Sequence, residues 1–318
     1  MNNLNLALGG GGTKGFTHIG VIRQLEKEGY EIKGIAGTSA GGIVGALYCY
    51  GYSTFEIEIF SKELNYTEIF NRSKNDAPSI LGLGGLYKIL EKKIGGSTFE
   101  DLKIPFAATA VDVHSGKEVI LDTGKVIDAV KATTAIPGIF PSLNIGQLCL
   151  VDGGILDPIP TSSARWLNPD FPVLAVSLTP SMNKWPITPR LDIPPYVPIP
   201  QFVVDQISQL RLGRAMHVFI DSMEITTNAI AELRLKLDKP DAVIFPDIYH
   251  YTMFDKVDIN ELIKIGEHSV DENNEKIRSI FSISNRATRW FRTAKPPGLL
   301  LSDLLEKSAV AEKRKKTQ

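Results

Sequence analysis

Residues 34–42 read GIAGTSAGG, which fences one serine with glycine two places before it and glycine two places after. Between an apolar strand pattern and an apolar helix pattern, this G-x-S-x-G spacing lets Ser39 sit on a strained turn that holds Oγ clear of the backbone as a nucleophile. Any side chain at Gly37 or Gly41 would crowd the neighbouring strand and helix. A helix opening at Ala40 also points free N–H groups toward developing negative charge. The same spacing fits a plain N-cap serine whose glycine neighbours serve close packing, so the motif alone does not decide.

A second stretch, GGGGTKG at 9–15, falls where a strand meets a helix. Consecutive glycines let backbone N–H groups converge without side chains in the way, and such a concavity can hold an anion. Facing Ser39, it would serve as an oxyanion hole built by Gly10, Gly11 and Gly12, where losing one donor costs on the order of 3 kcal/mol of barrier. Gly10, Gly12 and Gly15 also satisfy the dinucleotide fingerprint, which needs an acid at the end of the second strand. That strand ends in Gly37, Thr38 and Ser39 instead. A Walker phosphate loop fits worse, because Gly15 and not Ser or Thr follows Lys14.

The serine needs a base. Of the five histidines, His18, His114, His217, His250 and His268, only the last three follow Ser39 in the order of a common Ser-Asp-His hydrolase. None of them stands in a strand-end turn flanked by small residues. His18, one turn into the first helix, reads as a local hydrogen-bonding residue. Asp152 is the stronger candidate, since it ends the apolar strand QLCLV and the two glycines after it turn the chain sharply. Ser39, the glycine loop and Asp152 would then meet at strand ends along one edge of the sheet. A carboxylate with an ordinary pKa near about 3.9 is a weak base toward a hydroxyl, so this pairing calls for partial desolvation and strong oxyanion donors.

The elements that must position these residues follow from periodicity. Leu4 to Leu8 reads as a strand, FTHIGVIRQLEKEG as a helix closed by Gly29, IKGIAG as a strand, and about Ala40 to Tyr50 as a helix stopped by Gly51. STFE at 53–56 has capping-box form and opens a helix to about Phe70. LYKILEKKI is helical, PFAATAVDV and KEVILD flank a hairpin at HSGK, and VIDAVKATTA is a helix ending before Pro137. QLCLVD, PVLAVSL and AVIFPDI are strands. Helices are expected over about 202–237 and 256–281, and seven prolines between Thr179 and Pro200 give an irregular loop. Alternation of strand and helix predicts an α/β domain with a mostly parallel sheet covered on both faces, over residues 1–283. Residues 284–318 form a basic tail.

With the glycine loop, the serine turn and the DGG turn in this order, the chain resembles the patatin-like phospholipases, in particular the bacterial branch related to neuropathy target esterase. The matching segments are GGGGTKGFTHIGVIRQLEKEG, GIAGTSAGGIVGALYCYG, AIPGIFPS and LVDGGILDPIP, from about Leu4 to Ser177 and more loosely to about Val270. This resemblance implies a three-layer α/β/α fold and a Ser-Asp dyad, with Ser39 as nucleophile, Asp152 as base, the Gly10, Gly11, Gly12 loop as oxyanion hole and Lys14 at the family's basic loop position. It also implies cleavage of acyl esters of phospholipids, lysophospholipids or neutral lipids without a metal or other cofactor. An acyltransferase, a His-assisted esterase or a non-catalytic lipid-binding regulator could use the same elbow. Asp157 departs from the pattern, where an uncharged residue is expected, and would alter the rim of the site.

A lipid substrate needs an apolar slot beside Ser39. Ile136, Ile139 and Phe140 of AIPGIFPS are the candidate substrate-binding walls, with Phe55, Ile59 and Phe60 of the following helix. The net charge of -1 gives the whole chain no electrostatic preference for nucleic acid. The tail, however, carries nine basic against three acidic residues, leaving +6 there and -7 elsewhere. WFR and GLLLSDLLEKSAV before EKRKK fit either peripheral contact with a membrane surface or a solubilising end. MNNLNLALGG lacks a basic segment and an h-region, no apolar run reaches the roughly 18 residues of a span, and a cytoplasmic address is the expectation. Cys49 and Cys149 lie in apolar stretches and read as packing residues.

Overall fold

The structure, a computed structural model, describes residues 2–64, 66–73, 76–179, 211–282 and 295–316. The expected proline-rich loop falls outside these residues from position 180 onward, as does the start of the helix expected from about 202. Strand β1 (Asn2–Leu8) is followed by a 3-10 turn (Gly12–Phe16), helix α1 (Thr17–Lys27), β2 (Tyr30–Gly37) and α2 (Ala40–Tyr50). Gly29 and Gly51 close the two helices in the left-handed region, with φ 80° and 114°. The capping box forms as read, with Ser53 and Glu56 exchanging backbone contacts at the start of α3 (Thr54–Lys62). This helix ends earlier than about Phe70, and a single turn, α4 (Tyr66–Ile69), follows before α5 (Gly84–Ile94).

The middle of the chain supplies β3 (Phe106–Asp112), β4 (Lys117–Leu121), α6 (Val126–Thr133), β5 (Leu143–Ile145), β6 (Leu148–Asp152), α7 (Thr161–Leu167) and β7 (Val173–Val176). Then come α8 (Arg211–Asp238), β8 (Ala242–Ile244), α9 (Ile259–Glu272), α10 (Asn274–Ser279), β9 (Leu299–Leu300) and α11 (Leu301–Lys316). The single helix expected over 256–281 is broken at Asn273. Its side chain donates to the Ser269 carbonyl at 2.9 Å and ends α9 there.

The strands form one sheet in the order β5-β6-β3-β2-β1-β7-β8, with β4 on β3 and β9 on β4. Pairings among β3, β2, β1, β7 and β8 are parallel, whereas β4, β5 and β6 bring antiparallel pairings. Side chains alternate across the sheet as its pleat requires. Leu4, Leu6 and Leu8 meet Ile19, Ile22, Val44 and Leu262 on one face. Ala7, Ala36 and Ala175 meet Ala164 and Ala231 on the other. The result is the three-layer α/β/α arrangement, with α7 and α8 packed over alanine-lined strands on one side.

The tail returns to this sheet. Leu299 and Leu300 pair in parallel with Val119 and Ile120, Leu301 is buried, and the Ser302 hydroxyl donates to Asp122 at 2.7 Å. Among the described residues no helix is long and apolar enough to cross a membrane.

Gly41 shows how tightly the serine turn is packed: a Cβ built there would lie 2.2 Å from the Leu8 carbonyl oxygen. Gly41→Ala is therefore expected to lower unfolding free energy by at least about 2 kcal/mol through overpacking. Chemical denaturation of the purified variant measures this, and a change within experimental error would contradict the packing described.

Candidate active site

Two strands end against the same edge of β3. Gly37 of β2 pairs with Ala108, and Asp152 of antiparallel β6 pairs with Ala110, while β4 occupies the opposite edge. Two positions along a strand are about 6.7 Å apart, so the chain leaving β2 meets the chain ending β6 almost head on. Thr109 lies between them. Its Oγ1 is 2.7 Å from Thr38 Oγ1, and a Cβ on Gly153 would come within 2.1 Å of it.

Ser39 has φ 53° and ψ -121°, a conformation that costs a non-glycine residue on the order of 1–3 kcal/mol. Its side chain makes no hydrogen bond to the first turn of α2, which rules out the plain N-cap reading. Backbone contacts hold the strain in place instead. The Ser39 amide donates to Thr133 Oγ1 at 2.9 Å, and the Thr38 amide donates to the Leu8 carbonyl at 3.0 Å.

Asp152 is buried. Its Oδ1 accepts the Gly154 amide at 2.8 Å, and its own amide donates to the Ala135 carbonyl at 2.9 Å. Burial raises its pKa to about 6, against the opposing effects of the Gly154 amide and the Ser39 side chain, which both favour the carboxylate. Ser39 and Asp152 line one cavity, and the acid is shifted toward the range in which a carboxylate is a useful base.

The glycine loop runs directly over this pair, since a Cβ on Gly10 would lie 3.2 Å from Ser39 Cβ. The loop differs from expectation at one position. The Gly10 amide already donates to the Pro158 carbonyl at 3.0 Å, so it is not a spare donor. Among the described residues the amides of Gly11, Gly12 and Ala40 have no such acceptor. Gly12 holds φ 59°, and a Cβ there would strike the Met253 carbonyl oxygen at 2.1 Å. His18 is buried beneath the loop with its pKa lowered to about 4 by burial, so its neutral ring donates from Nε2 to the Gly9 carbonyl at 2.8 Å.

Among the described residues no other histidine stands beside Ser39. His114, His250 and His268 are exposed, and His268 pairs with Glu272 at 3.2 Å. His250 and His268 line a surface groove that does not include Ser39. The side chain of His217 lies outside the described residues.

Ser39 stands at the junction of two cavities. The first, an apolar cavity of about 140 Å³, is walled by residues such as Val44, Leu47, Ile57, Leu83, Leu86 and Phe140. Ile136 borders both, and Phe60 lines the apolar one. Ile139 lines the second, smaller cavity with Asp152, Lys14, Glu224 and Asn228. Phe55 and Ile59 are corrected: they are 65% and 40% exposed, because the helical turn of α3 sends Ile57 inward in their place. Lys14 is buried, which lowers its ammonium pKa, while Glu224 and Asp255 oppose that shift. Asp157 is also corrected. It is fully buried and so forms no part of a rim, and its carbonyl accepts the Thr38 hydroxyl at 2.8 Å. Thr38, Thr109 and Thr133 are the residues that sequence reasoning missed. A lone threonine in the otherwise apolar FAATAV was the available signal for one of them.

The model of the patatin-like phospholipase family matches residues 6–165. An uncharacterized NTE family protein of Mycobacterium tuberculosis is 39% identical over 176 residues, covering 54% of this chain and 48% of that protein. A lysophospholipase NTE1 of the yeast Meyerozyma guilliermondii is 25% identical over 293 residues, covering 85% of this chain and 19% of that protein. The chain thus spans about half, or less, of the length of these curated relatives. Among solved structures, VipD from Legionella pneumophila superposes with a TM-score of 0.51 at 12% identity, over 87% of this chain and 67% of that one, a likeness of fold. The matched span holds the glycine loop, the serine turn and the DGG turn together, and the chain belongs to the patatin-like phospholipase family.

Proposed function

We propose that the protein is a serine acyl hydrolase that cleaves fatty-acyl esters of lipids through a Ser39–Asp152 dyad. The observation that carries this reading is the strained, uncapped Ser39 facing a buried Asp152 at the junction of an apolar and a polar cavity. The acyl chain lies in the apolar slot and the alcohol portion occupies the polar chamber. Asp152 takes the Ser39 proton as Oγ attacks the ester carbonyl, and the oxyanion is met by the amides of Gly11, Gly12 and Ala40. Collapse of the tetrahedral intermediate expels the alcohol, which leaves with the proton held by Asp152. Asp152 then draws a proton from water, whose oxygen attacks the acyl-enzyme, and returns that proton to Ser39 as the fatty acid departs. A lysophospholipase among the relatives supports a lipid ester as substrate.

Long-chain p-nitrophenyl esters test the dyad. Ser39→Ala is expected to abolish turnover and Asp152→Asn to lower kcat by about 10³-fold, within the range of general base catalysis. Activity near the native level in either variant would contradict the assignment, as would collapse on replacing His217, His250 or His268.

Acid dependence follows from the raised pKa of Asp152. The base acts as a carboxylate, so kcat/KM should rise about tenfold per pH unit below pH about 6 and level off above it. A profile between about pH 4.5 and 7.5 that stays flat through 6, with the protein folded throughout, would exclude Asp152 as the titrating base.

Peripheral contact with a lipid surface through the tail is part of the same proposal. Leu305 and Val310 are exposed on α11, which also carries Lys307. Truncation after Ser302 keeps β9 in the sheet while removing this helix. It is expected to reduce co-sedimentation with anionic vesicles, and unchanged binding would remove the membrane role of α11.

A further inference from the structure

One short segment touches all parts of the site. In Gly153 to Pro158, the Gly154 amide donates to the Asp152 carboxylate, the Asp157 carbonyl accepts the Thr38 hydroxyl, and the Pro158 carbonyl accepts the Gly10 amide. The segment is closed on itself by the Asp157 amide, which donates to the Gly153 carbonyl at 2.8 Å. Its position therefore sets the base, the residue before the nucleophile and the glycine loop together.

The segment is hooked by charge. The Asp157 carboxyl, fully buried, accepts Arg234 Nη2 from α8 at 2.7 Å. The same guanidinium reaches Glu118 of β4 at 3.4 Å and Asp238, one turn along α8, at 3.1 Å. Three carboxyls thus surround one cation. Glu118 Oε1 and Asp157 Oδ1 are both buried without a hydrogen-bond partner. Burial and the neighbouring Asp157 push the Glu118 carboxyl up to about 8, and burial also raises the Asp157 carboxyl, against the Arg234 guanidinium, which favours its charged form. A buried ion pair contributes little net stability compared with apolar packing, but breaking one partner strands a charge. Its use here is geometric. Upstream on α8, Glu224 and Asn228 line the polar chamber, so the hook also fixes that wall relative to Ser39.

We propose that Arg234 and Asp157 are positioning residues for the Ser39–Asp152 pair, their buried ion pair clamping α8 to the Gly153–Pro158 segment that holds both catalytic turns. This rests on the dyad reading given above. Neither residue touches substrate; they act through Thr38, Gly154 and Gly10.

The test uses the full chain, with kcat divided by the number of serines titrated by an alkyl fluorophosphonate. For a p-nitrophenyl ester, which has no headgroup, Arg234→Met is expected to lower kcat per titrated site on the order of tenfold to a hundredfold, with KM within about threefold. Adding Asp157→Asn to Arg234→Met removes a stranded carboxylate and should recover at least about threefold. If Arg234→Met does not fold, Arg234→Lys keeps the charge but not the fork geometry and should still lose about tenfold in kcat. Unchanged kcat per titrated site, with only a lower melting temperature, would reduce the clamp to a stability element and overturn the proposal.

An independent readout needs no activity. Glu118 holds its proton in the folded state up to pH about 8 but loses it near its ordinary value when unfolded, so its contribution to stability is lost as pH rises toward 8. Asp152 and His18 titrate lower, at about 6 and about 4 in the folded state, and the buried Lys14 is common to the native protein and Asp157→Asn, so the difference between their slopes from about pH 6.5 to 8 reports the Glu118–Asp157 pair. Stability of the native protein should fall across that range, and the slope should flatten in Asp157→Asn. Equal slopes would overturn the clamp alone, whereas a Ser39→Ala protein that kept full turnover would instead remove the dyad reading beneath it.

Discussion

Two strands share one edge of β3, and the rest of the site depends on that geometry. β2 uses the first part of the edge as far as Ala108, and β6 runs back along the remainder to Ala110. Neither strand can extend further without meeting the other, so both chains must turn out of the sheet where they converge. Ser39 occupies one turn and Asp152 the other. Their proximity is therefore fixed by backbone pairing, the most rigid constraint a sheet offers, and does not rely on long side chains finding each other. Thr109 keeps the spacing by bonding Thr38 and by leaving room for nothing larger than glycine at 153.

The electrostatics follow from the same burial. Taking Asp152 out of water raises its pKa to about 6, which improves it as a base but leaves it ionised near neutrality. The Gly154 amide limits that rise. His18, neutral because it is buried, anchors the Gly9 carbonyl and so fixes the glycine loop without adding a charge there. The strain stored in Ser39 is offset by contacts from three directions: Thr133 on its own amide, Leu8 on the Thr38 amide, and Asp157 on the Thr38 hydroxyl. Apolar and polar cavities then divide the space around Oγ, an arrangement suited to a substrate with one oily and one hydrated end.

Much of this was legible in the residues. The apolar run into GTSAG, the capping box at Ser53 and the glycine stops at 29 and 51 appear in the structure where local chemistry placed them, because each depends on neighbours in sequence. What local pattern could not give was direction. QLCLVD reads as a buried strand whether it runs with or against its neighbour, and its antiparallel course follows from pairing back onto β5 through Gly146 at φ 59°. The burial of Asp157 is hidden from local pattern for a similar reason, since its partner Arg234 lies 77 positions away. Hydrophobicity alone points Phe55 and Ile59 toward the slot, although the helical phase fixed by Ile57 sends them to solvent. The tail carried a clear charge signal, but nothing in it announced that Leu299 and Leu300 would extend the sheet beside β4.

The proposed activation of Ser39 by Asp152 is tested most directly by covalent trapping. The native protein and Asp152→Asn would each be treated with a long-chain alkyl fluorophosphonate at neutral pH, with the labelled peptide located by mass spectrometry over time. Labelling of the native protein at Ser39, slowed by about 100-fold or more in Asp152→Asn, is the expected result. Equal rates in the two proteins, or a label carried by a residue other than Ser39, would contradict the dyad.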